Sequence, residues 1–237
     1  MVYGLNDFTD GKADSVNPRK GNFLFGAKLS KTELANVPWQ ICFVMVPFLA
    51  YFSYVGGGEL FILLLFMIVI NIIYNYKPFR LKKRPPFDIL MQVGYVFTAL
   101  FSILLNDLAI IPWQTLVYLT LFAFQAHLAG EIMDIEPDKL VGKKTTAVVI
   151  GRKKSKLIML LILLSEVFIL QFWFNDWVLA SFLAVFSVWL VLDIFIFFKN
   201  KPYTVKQMML FGIAMNIAAI LSMAWVLYSG NLLQPNF

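Results

Sequence analysis

Cysteine and histidine are almost absent from this sequence. Its 237 residues include one cysteine, Cys42, and one histidine, His127. A single cysteine excludes a disulfide framework within the chain. It also excludes a metal site built from several cysteines, and zinc, which prefers cysteine and histidine ligands, fits this composition poorly.

Charge is also scarce. Charged residues make up 14% of the chain and hydrophobic residues 60%, with a mean hydropathy of +0.75, whereas soluble domains carry about 25% charged residues. A water-soluble fold could not bury this much apolar surface. Residues 1–5 lack the basic and apolar regions of a signal peptide, so membrane insertion is expected to rely on internal helices.

Long apolar runs are abundant. A membrane-spanning helix needs about 20 apolar residues, and such runs recur between polar, Gly- or Pro-containing turns. The seven predicted spans are 37–56, 59–76, 88–106, 109–133, 156–174, 177–198 and 206–228. The sequence therefore predicts an all-α, multi-pass transmembrane bundle. Residues 1–36 are predicted to form a cytoplasmic segment, and 37–237 a single transmembrane helical domain.

The basic residues lie on one side of this predicted topology. All 20 lysines and arginines fall there, whereas the loops on the opposite side contain none. Because basic loops mark the cytoplasmic side, we expect a multi-pass integral membrane protein with that side in the cytoplasm, in the cell membrane if the protein is prokaryotic. The net charge of +6 is then explained by topology and by anionic membrane lipid, and nucleic acid is not expected as a partner.

Six of the 14 acidic residues form two trios, each with intervals of three and then four residues, which places a trio on one face of a helix. The trios are Asp7, Asp10 and Asp14, and Glu131, Asp134 and Asp138. Like charges on one face need a compensating cation. Mg²⁺ prefers oxygen ligands and commonly bridges carboxylates to substrate phosphates, so two opposing trios could hold Mg²⁺ around a diphosphate. The alternative is a set of solvated carboxylates that balance nearby lysines.

Three segments resemble the motifs of the UbiA superfamily of intramembrane prenyltransferases. Residues 6–14, with the pattern Asn-Asp-x-x-Asp-x-x-x-Asp, and the basic stretch 17–20 resemble the first aspartate-rich motif. Residues 131–151 resemble the second motif and its tail, with Glu131 where many members have aspartate. Residues 74–82 resemble the Tyr-Ser-x-Pro-Pro-x-Arg-Leu-Lys segment between the two motifs.

This resemblance implies Mg²⁺-dependent transfer of an isoprenyl group from a polyprenyl diphosphate to a lipophilic acceptor, with release of pyrophosphate. The acceptor is a quinone precursor, a carotenoid, a tetrapyrrole or a lipid. Both acidic trios are implied to be catalytic and to bind the metal. The residues that we expect to bind substrate are Asn6, Lys20, Tyr74, Arg80, Lys82, His127 and Lys144.

The resemblance also implies a fold of nine transmembrane helices in which the first motif ends the second helix. The seven predicted spans would then lack the first two helices, through a truncated gene model, a late start codon or a fragment. On this expectation the first motif, which begins at Asn6, has no helix left to carry it.

Several assignments keep two interpretations. His127 shares the helical face of the second trio and is either a general base or a polar residue hydrogen-bonded between helices. Tyr74 either stabilises a carbocation or anchors a helix at the interface. Asp193 either faces a bundle interior or pairs with Lys199 or Lys201. For the chain as a whole, the alternatives are a secondary transporter and a non-catalytic membrane scaffold.

Overall fold

A computed structural model describes residues 2–106 and 111–233. The α-helices in these residues are α1 (Val2–Val16), α2 (Lys31–Asn75), α3 (Phe87–Leu90), α4 (Val96–Asn106), α5 (Trp113–Leu140), α6 (Thr146–Ile150), α7 (Arg152–Phe172), α8 (Trp177–Phe195) and α9 (Val205–Ser229). Two short 3₁₀ helices, Leu81–Lys83 and Met91–Tyr95, precede and follow α3. The all-α prediction is confirmed for the described part of the chain.

Helix α1 carries the first acidic motif and packs closely against α2. A Cβ atom on Gly4 would lie 3.1 Å from Cδ1 of Ile41, and one on Gly11 would lie 2.6 Å from Cδ1 of Leu34. These two glycines lie seven residues apart, on one face of the helix, and their lack of side chains permits the approach. The expectation that no helix carries the motif is therefore wrong. Helix α1 escapes a search for apolar spans because it has only 15 residues and includes three aspartates.

Helix α2 contains 45 residues but is not one straight rod. A straight helix of that length would span about 68 Å, yet residues at both of its ends contact α1. Leu34 lies against Gly11, and Thr9 donates a hydrogen bond to Oδ1 of Asn75 at 3.2 Å. The chain reverses at Gly57, whose φ of 67° and ψ of −158° are open essentially to glycine alone. The element therefore has two antiparallel arms, one before and one after Gly57.

Six helical segments in the described residues are long and apolar enough to cross a membrane. The prediction of a multi-pass membrane fold is confirmed, but its count of seven differs. The predicted spans 37–56 and 59–76 correspond to the two arms of α2, which form one continuous element. The predicted span 109–133 begins outside the described residues.

The outward surface of the bundle is apolar. In the most apolar stretches of α2 and α9, only 6% of residues are buried, and large side chains such as Phe43, Tyr54 and Leu227 are exposed. Soluble proteins rarely present continuous apolar patches of this kind. These faces therefore suit the hydrocarbon interior of a membrane.

An ion pair joins α7 and α8 inside the bundle. Nζ of Lys156 lies 2.8 Å from Oδ2 of Asp193, and both residues are fully buried. Tyr203, just before α9, donates its hydroxyl to the same carboxylate oxygen. The sequence offered Lys199 or Lys201 as the ion-pair partner of the Asp193 side chain. The observed partner is Lys156 instead. The chain turns at Lys199 with a φ of 54°, and there its carbonyl accepts a hydrogen bond from Lys156.

Candidate active site

A cavity of about 310 Å³ lies between α1, the second arm of α2, α4 and α5. Glu131, Asp134 and Asp138 of the second motif line this cavity, whereas Asp7, Asp10 and Asp14 of the first motif do not. The charged end of the cavity is lined by Asn6, Arg19, Lys82, Glu131, Asp134, Asp138 and Lys143. Apolar side chains line much of the remaining wall, among them Met67, Ile70, Met91 and Phe97. Binding sites for small molecules are of this size, and the two-part wall suits an amphipathic ligand.

Asp10 is the most buried carboxylate of the first trio, with 5% of its surface exposed. Its Oδ1 lies 2.8 Å from Nζ of Lys82, and its Oδ2 lies 3.2 Å from Nζ of Lys143. Burial by itself raises the pKa of the Asp10 carboxyl, but the two lysines outweigh burial and hold that pKa below its ordinary value. Asp10 is therefore a buried carboxylate between two cations.

Lys20 links the other two members of the first trio. Its Nζ lies 3.3 Å from Oδ1 of Asp7 and 3.4 Å from Oδ2 of Asp14. The pKa of the Asp14 carboxyl is raised, chiefly by burial and against the lowering effect of Lys20. The predicted need for a compensating cation is thus met by lysine side chains in this structure.

Lys143 joins the second motif to the first. Its Nζ lies 3.5 Å from Oδ2 of Asp138 as well as close to Asp10. Gly142, with a φ of 67°, turns the chain after α5, and the N–H of Lys143 donates to the carbonyl of Asp138 at 2.9 Å. Burial by itself lowers the pKa of Lys143, but its acidic neighbours raise that pKa above its ordinary value. Three lysines were assigned to substrate from the sequence. Lys82 lines the cavity, whereas Lys20 does not, and Lys144 is exposed and does not line it either.

Asp134 is held by a fork of hydrogen bonds from the loop after α1. Nε of Arg19 donates to Oδ1 at 2.7 Å, and an NH group donates to Oδ2 at 2.5 Å. Nδ2 of Asn17 adds a bond to Oδ1 at 2.8 Å. Asp134, predicted to bind metal, is thus paired with a guanidinium here. Sequence reasoning recognised 17–20 only as a basic stretch, because nothing local shows that Arg19 reaches α5.

Glu131 and Asp88 together hold α6 against the site. Oε2 of Glu131 accepts a hydrogen bond from the N–H of Ala147 at 3.1 Å. Asp88, wholly buried in α3, accepts from the backbone N–H of Thr146 and, at 2.6 Å, from its hydroxyl. Sequence reasoning missed Asp88, because a lone acid near the start of a predicted span belongs to no motif.

A chain of polar side chains continues the cavity wall beyond the charged end. Nε2 of His127 lies 3.2 Å from Oε1 of Glu131 and 3.4 Å from the hydroxyl of Tyr74. Nε2 of Gln92 donates to that hydroxyl at 3.1 Å. His127 and Tyr74, both assigned to substrate from the sequence, therefore lie side by side in the wall.

Lys82 and Arg80 point to different places. Nζ of Lys82 donates to Oδ1 of Asn6 at 3.0 Å and to the Thr9 hydroxyl at 2.6 Å, in addition to its pair with Asp10. Burial lowers the pKa of Lys82 to about 8, despite the opposing effect of Asp10. Arg80 instead donates to the backbone carbonyl of Thr9 at 3.1 Å and is not part of the cavity wall. Lys82 therefore faces the cavity, whereas Arg80 fastens α1.

The carboxylates supply the oxygen ligands that Mg²⁺ prefers. In residues 2–106 and 111–233, no three acidic, histidine or cysteine side chains lie close enough to hold an ion by themselves. At phosphate sites, however, Mg²⁺ usually takes one or two carboxylates and completes its shell with water and phosphate oxygens. Asp7 with Asp14, and Asp10 with Asp138, each converge on one lysine ammonium. Two carboxylates that already face one cationic position fit this mode of binding.

Fold and site together define a class: a helical membrane protein in which the second acidic motif, Lys82 and Lys143 line one end of a partly apolar cavity and both lysines pair with Asp10 of the first motif. The chain belongs to the UbiA prenyltransferase family, which it matches over residues 1–220. Its fold is similar to that of a UbiA homolog from Archaeoglobus fulgidus bound to GPP and Mg²⁺. The TM-score is 0.67, at 18% identity, and the match covers 94% of this chain and 80% of that one.

Curated relatives include proteins named lycopene elongase/hydratase. The protein from Corynebacterium glutamicum is 27% identical over 172 residues, which covers 71% of this chain and 60% of that protein. The protein from Haloarcula japonica is 25% identical over 192 residues, which covers 78% of this chain and 61% of that protein. The chain thus spans about 60% of the length of these relatives.

Proposed function

We propose that this chain carries the active site of a prenyltransferase that moves an isoprenyl group from an isoprenyl diphosphate to a carotenoid-type acceptor. One observation supports this above all: Asp138 of the second motif and the ammonium groups of Lys82 and Lys143 line one end of a partly apolar cavity, and Asp10 of the first motif pairs with both lysines. The names of the relatives favour a long unsaturated hydrocarbon as the acceptor. The one-sided basic loops favour a site at the cytoplasmic face.

The charged end suits the diphosphate. Lys82 and Lys143 supply charge-assisted hydrogen bonds to phosphate oxygens, and Arg19 adds a planar guanidinium that can bind phosphate with two bonds. Bound by the paired carboxylates, Mg²⁺ would neutralise the charge that develops on the leaving pyrophosphate. The isoprenyl chain then lies along the apolar wall.

In the proposed reaction, the bond between the donor carbon and its oxygen breaks, and both electrons leave with pyrophosphate. An allylic cation remains beside the hydroxyl of Tyr74 and the ring of His127. A carbon–carbon double bond of the acceptor attacks this cation, so that a new carbon–carbon bond forms and the positive charge moves to the acceptor. His127, positioned by Tyr74 and Glu131, accepts the proton that the acceptor then loses.

The test uses the purified chain in lipid nanodiscs, with geranyl diphosphate, lycopene and Mg²⁺. We expect pyrophosphate release and a prenylated product by mass spectrometry, both lost on chelation and restored by Mg²⁺. Asp10→Asn should abolish both. The matched control is Glu59→Gln, because Glu59 is exposed and lies beside the reversal of α2, away from the cavity. Equal rates in the two variants would rule the proposal out.

A further inference from the structure

A second cavity lies on the opposite face of α5, between α5, α7, α8 and α9. Its volume is about 470 Å³, and Ala126 contributes to the walls of both cavities. The wall is almost wholly apolar, with aromatic side chains such as Phe122, Phe186 and Trp189. None of the six motif carboxylates lines it, so this cavity is separate from the candidate active site.

One end of the second cavity is polar. Asp193 and Tyr203 line that end. Oδ2 of Asp193 already accepts hydrogen bonds from Lys156 and Tyr203. Asp193 is only 1% exposed. Its Oδ1 is buried and has no hydrogen-bond partner among the described residues. A buried acceptor without a donor is costly, so this end of the cavity has a place for a donor group from a ligand.

The charges at this end indicate what kind of donor fits. The Asp193 carboxylate is balanced by the Lys156 ammonium, which also donates to the carbonyl of Lys199 at 3.1 Å and lies 4.6 Å from the centre of the Tyr203 ring. A cationic ligand would leave a net charge buried within the helical bundle, which is unfavourable. An anionic ligand would meet the unpaired lone pairs of Oδ1. A neutral hydroxyl group avoids both penalties.

The apolar part of the cavity has room for a hydrocarbon chain. Helix α9 presents the small side chains Ala214, Ala218 and Ala219 to it, and the space that they leave is of the size that encloses drug-sized ligands. The polar end lies where α7 begins and α8 ends, and Tyr118 and Ser222 lie further along the helices. A ligand would therefore place its head among the basic residues and its tail in the bundle.

We propose that the second cavity binds a neutral lipid with a hydroxyl head group, such as a long-chain isoprenoid alcohol. Its O–H donates to Oδ1 of Asp193, and its hydrocarbon chain lies between α5 and α9. The site does not depend on the prenyl transfer proposed above, because it shares no charged residue with that cavity.

The first test compares two ligands on the unmodified chain. Tritiated geranylgeraniol is bound to the chain in phosphatidylcholine nanodiscs, with geranyl diphosphate and Mg²⁺ present in excess to fill the other cavity. Unlabelled geranylgeraniol should displace the label about tenfold better than its methyl ether, the ratio expected when a hydrogen bond to a charged acceptor is lost. Equal displacement by the ether, which has no O–H to donate, would overturn the proposal.

The second test fills the cavity. Ala218→Trp places a large ring in the wall, whereas Ala224→Trp makes the same change on an exposed face of the same helix. We expect geranylgeraniol binding to weaken at least about tenfold in the first variant and to stay unchanged in the second. The double variant Lys156→Met/Asp193→Leu, which keeps the cluster neutral and removes the acceptor oxygen, should lose the preference for the alcohol over the ether. Unaltered binding in Ala218→Trp would place the alcohol elsewhere and refute the assignment.

Discussion

Lys143, which follows α5, lies 3.2 Å from Asp10 of α1, although 133 residues separate the two in sequence. Its ammonium also lies 3.5 Å from Oδ2 of Asp138. Without it, two buried carboxylates would face each other with less compensating charge, which is strongly destabilising in a buried place. This lysine therefore holds the two acidic motifs together.

Replacing Lys143 should be far more harmful than replacing its neighbour. We expect Lys143→Met to lower the rate of pyrophosphate release by about 100-fold or more, as loss of a donor to a developing negative charge does. Lys144→Met should change it less than about threefold, since Lys144 is exposed and outside the cavity wall. The measurement is the initial rate of pyrophosphate release in each variant. A larger loss of rate in Lys144→Met than in Lys143→Met would identify Lys144 as the substrate-binding lysine.

The lowered pKa of Lys82 predicts a pH limit on activity. Burial lowers that pKa to about 8, so the ammonium is present below this pH and is lost as the pH rises through it. If the cation binds diphosphate, kcat/KM should fall above about pH 8, because kcat/KM reports groups of the free enzyme. Lys82→Arg should move the decline to higher pH, since a guanidinium stays protonated. The measurement is a kcat/KM profile from pH 6.5 to 9.5, and an unchanged decline in the variant would assign it to another group.

Much of the membrane fold could be predicted from the sequence, because an apolar run of spanning length indicates a membrane helix by itself. The two spans on either side of the glycines at 56–58 were predicted this way, and the structure places the reversal at Gly57. Helix α1 could not be found in the same manner. Its stability comes from close packing of Gly4 and Gly11 on α2, a contact that the sequence of α1 alone does not reveal.

The candidate site was predictable to the extent that it follows helical periodicity. The 3,4 spacing placed Asp7, Asp10 and Asp14 on one face without any structure. The choice between Lys143 and Lys144 depends instead on the left-handed turn at Gly142. Side-chain pairs between segments that are distant in the sequence could not be predicted either. Tertiary packing determines these pairs, and they leave no local sequence pattern.

The fork between Arg19 and Asp134 predicts strong energetic coupling. Arg19→Gln and Asp134→Asn should each destabilise the chain, and the double variant should be less unstable than the sum of the two, with a coupling energy of about 0.5–3 kcal/mol. Thermal unfolding of the four proteins measures this. The Mg²⁺ concentration for half-maximal activity gives a separate readout. If Asp134 binds metal during turnover, this Mg²⁺ concentration should rise in Asp134→Asn but not in Arg19→Gln. The same Mg²⁺ concentration in both variants would mean that Asp134 only pairs with Arg19.

The bond between Thr146 and Asp88 should contribute measurably to stability. Thr146→Val keeps the shape of the side chain but removes the hydroxyl that donates to buried Asp88 at 2.6 Å. Loss of a hydrogen bond to a charged, buried acceptor costs about 1.5–3 kcal/mol. Thr146→Ser keeps the donor and should be close to the unmodified chain in thermal unfolding. Equal stability of the valine and serine variants would contradict this role of Asp88.

The reversal of α2 offers the sharpest test of the fold, because two adjacent glycines differ in one respect. A Cβ atom added at Gly57 or at Gly58 meets no other atom within 4 Å, but only Gly57 has a positive φ. Gly57→Ala should therefore destabilise the chain by about 1–3 kcal/mol, the usual cost of forcing a side chain into such a backbone conformation. Gly58 begins the second arm of α2 and has no positive φ, so Gly58→Ala should be close to neutral. Thermal unfolding of the two variants in one detergent compares them directly. Only Gly57→Ala is expected to lower the unfolding temperature, and an equal decrease in both variants would contradict a reversal at Gly57.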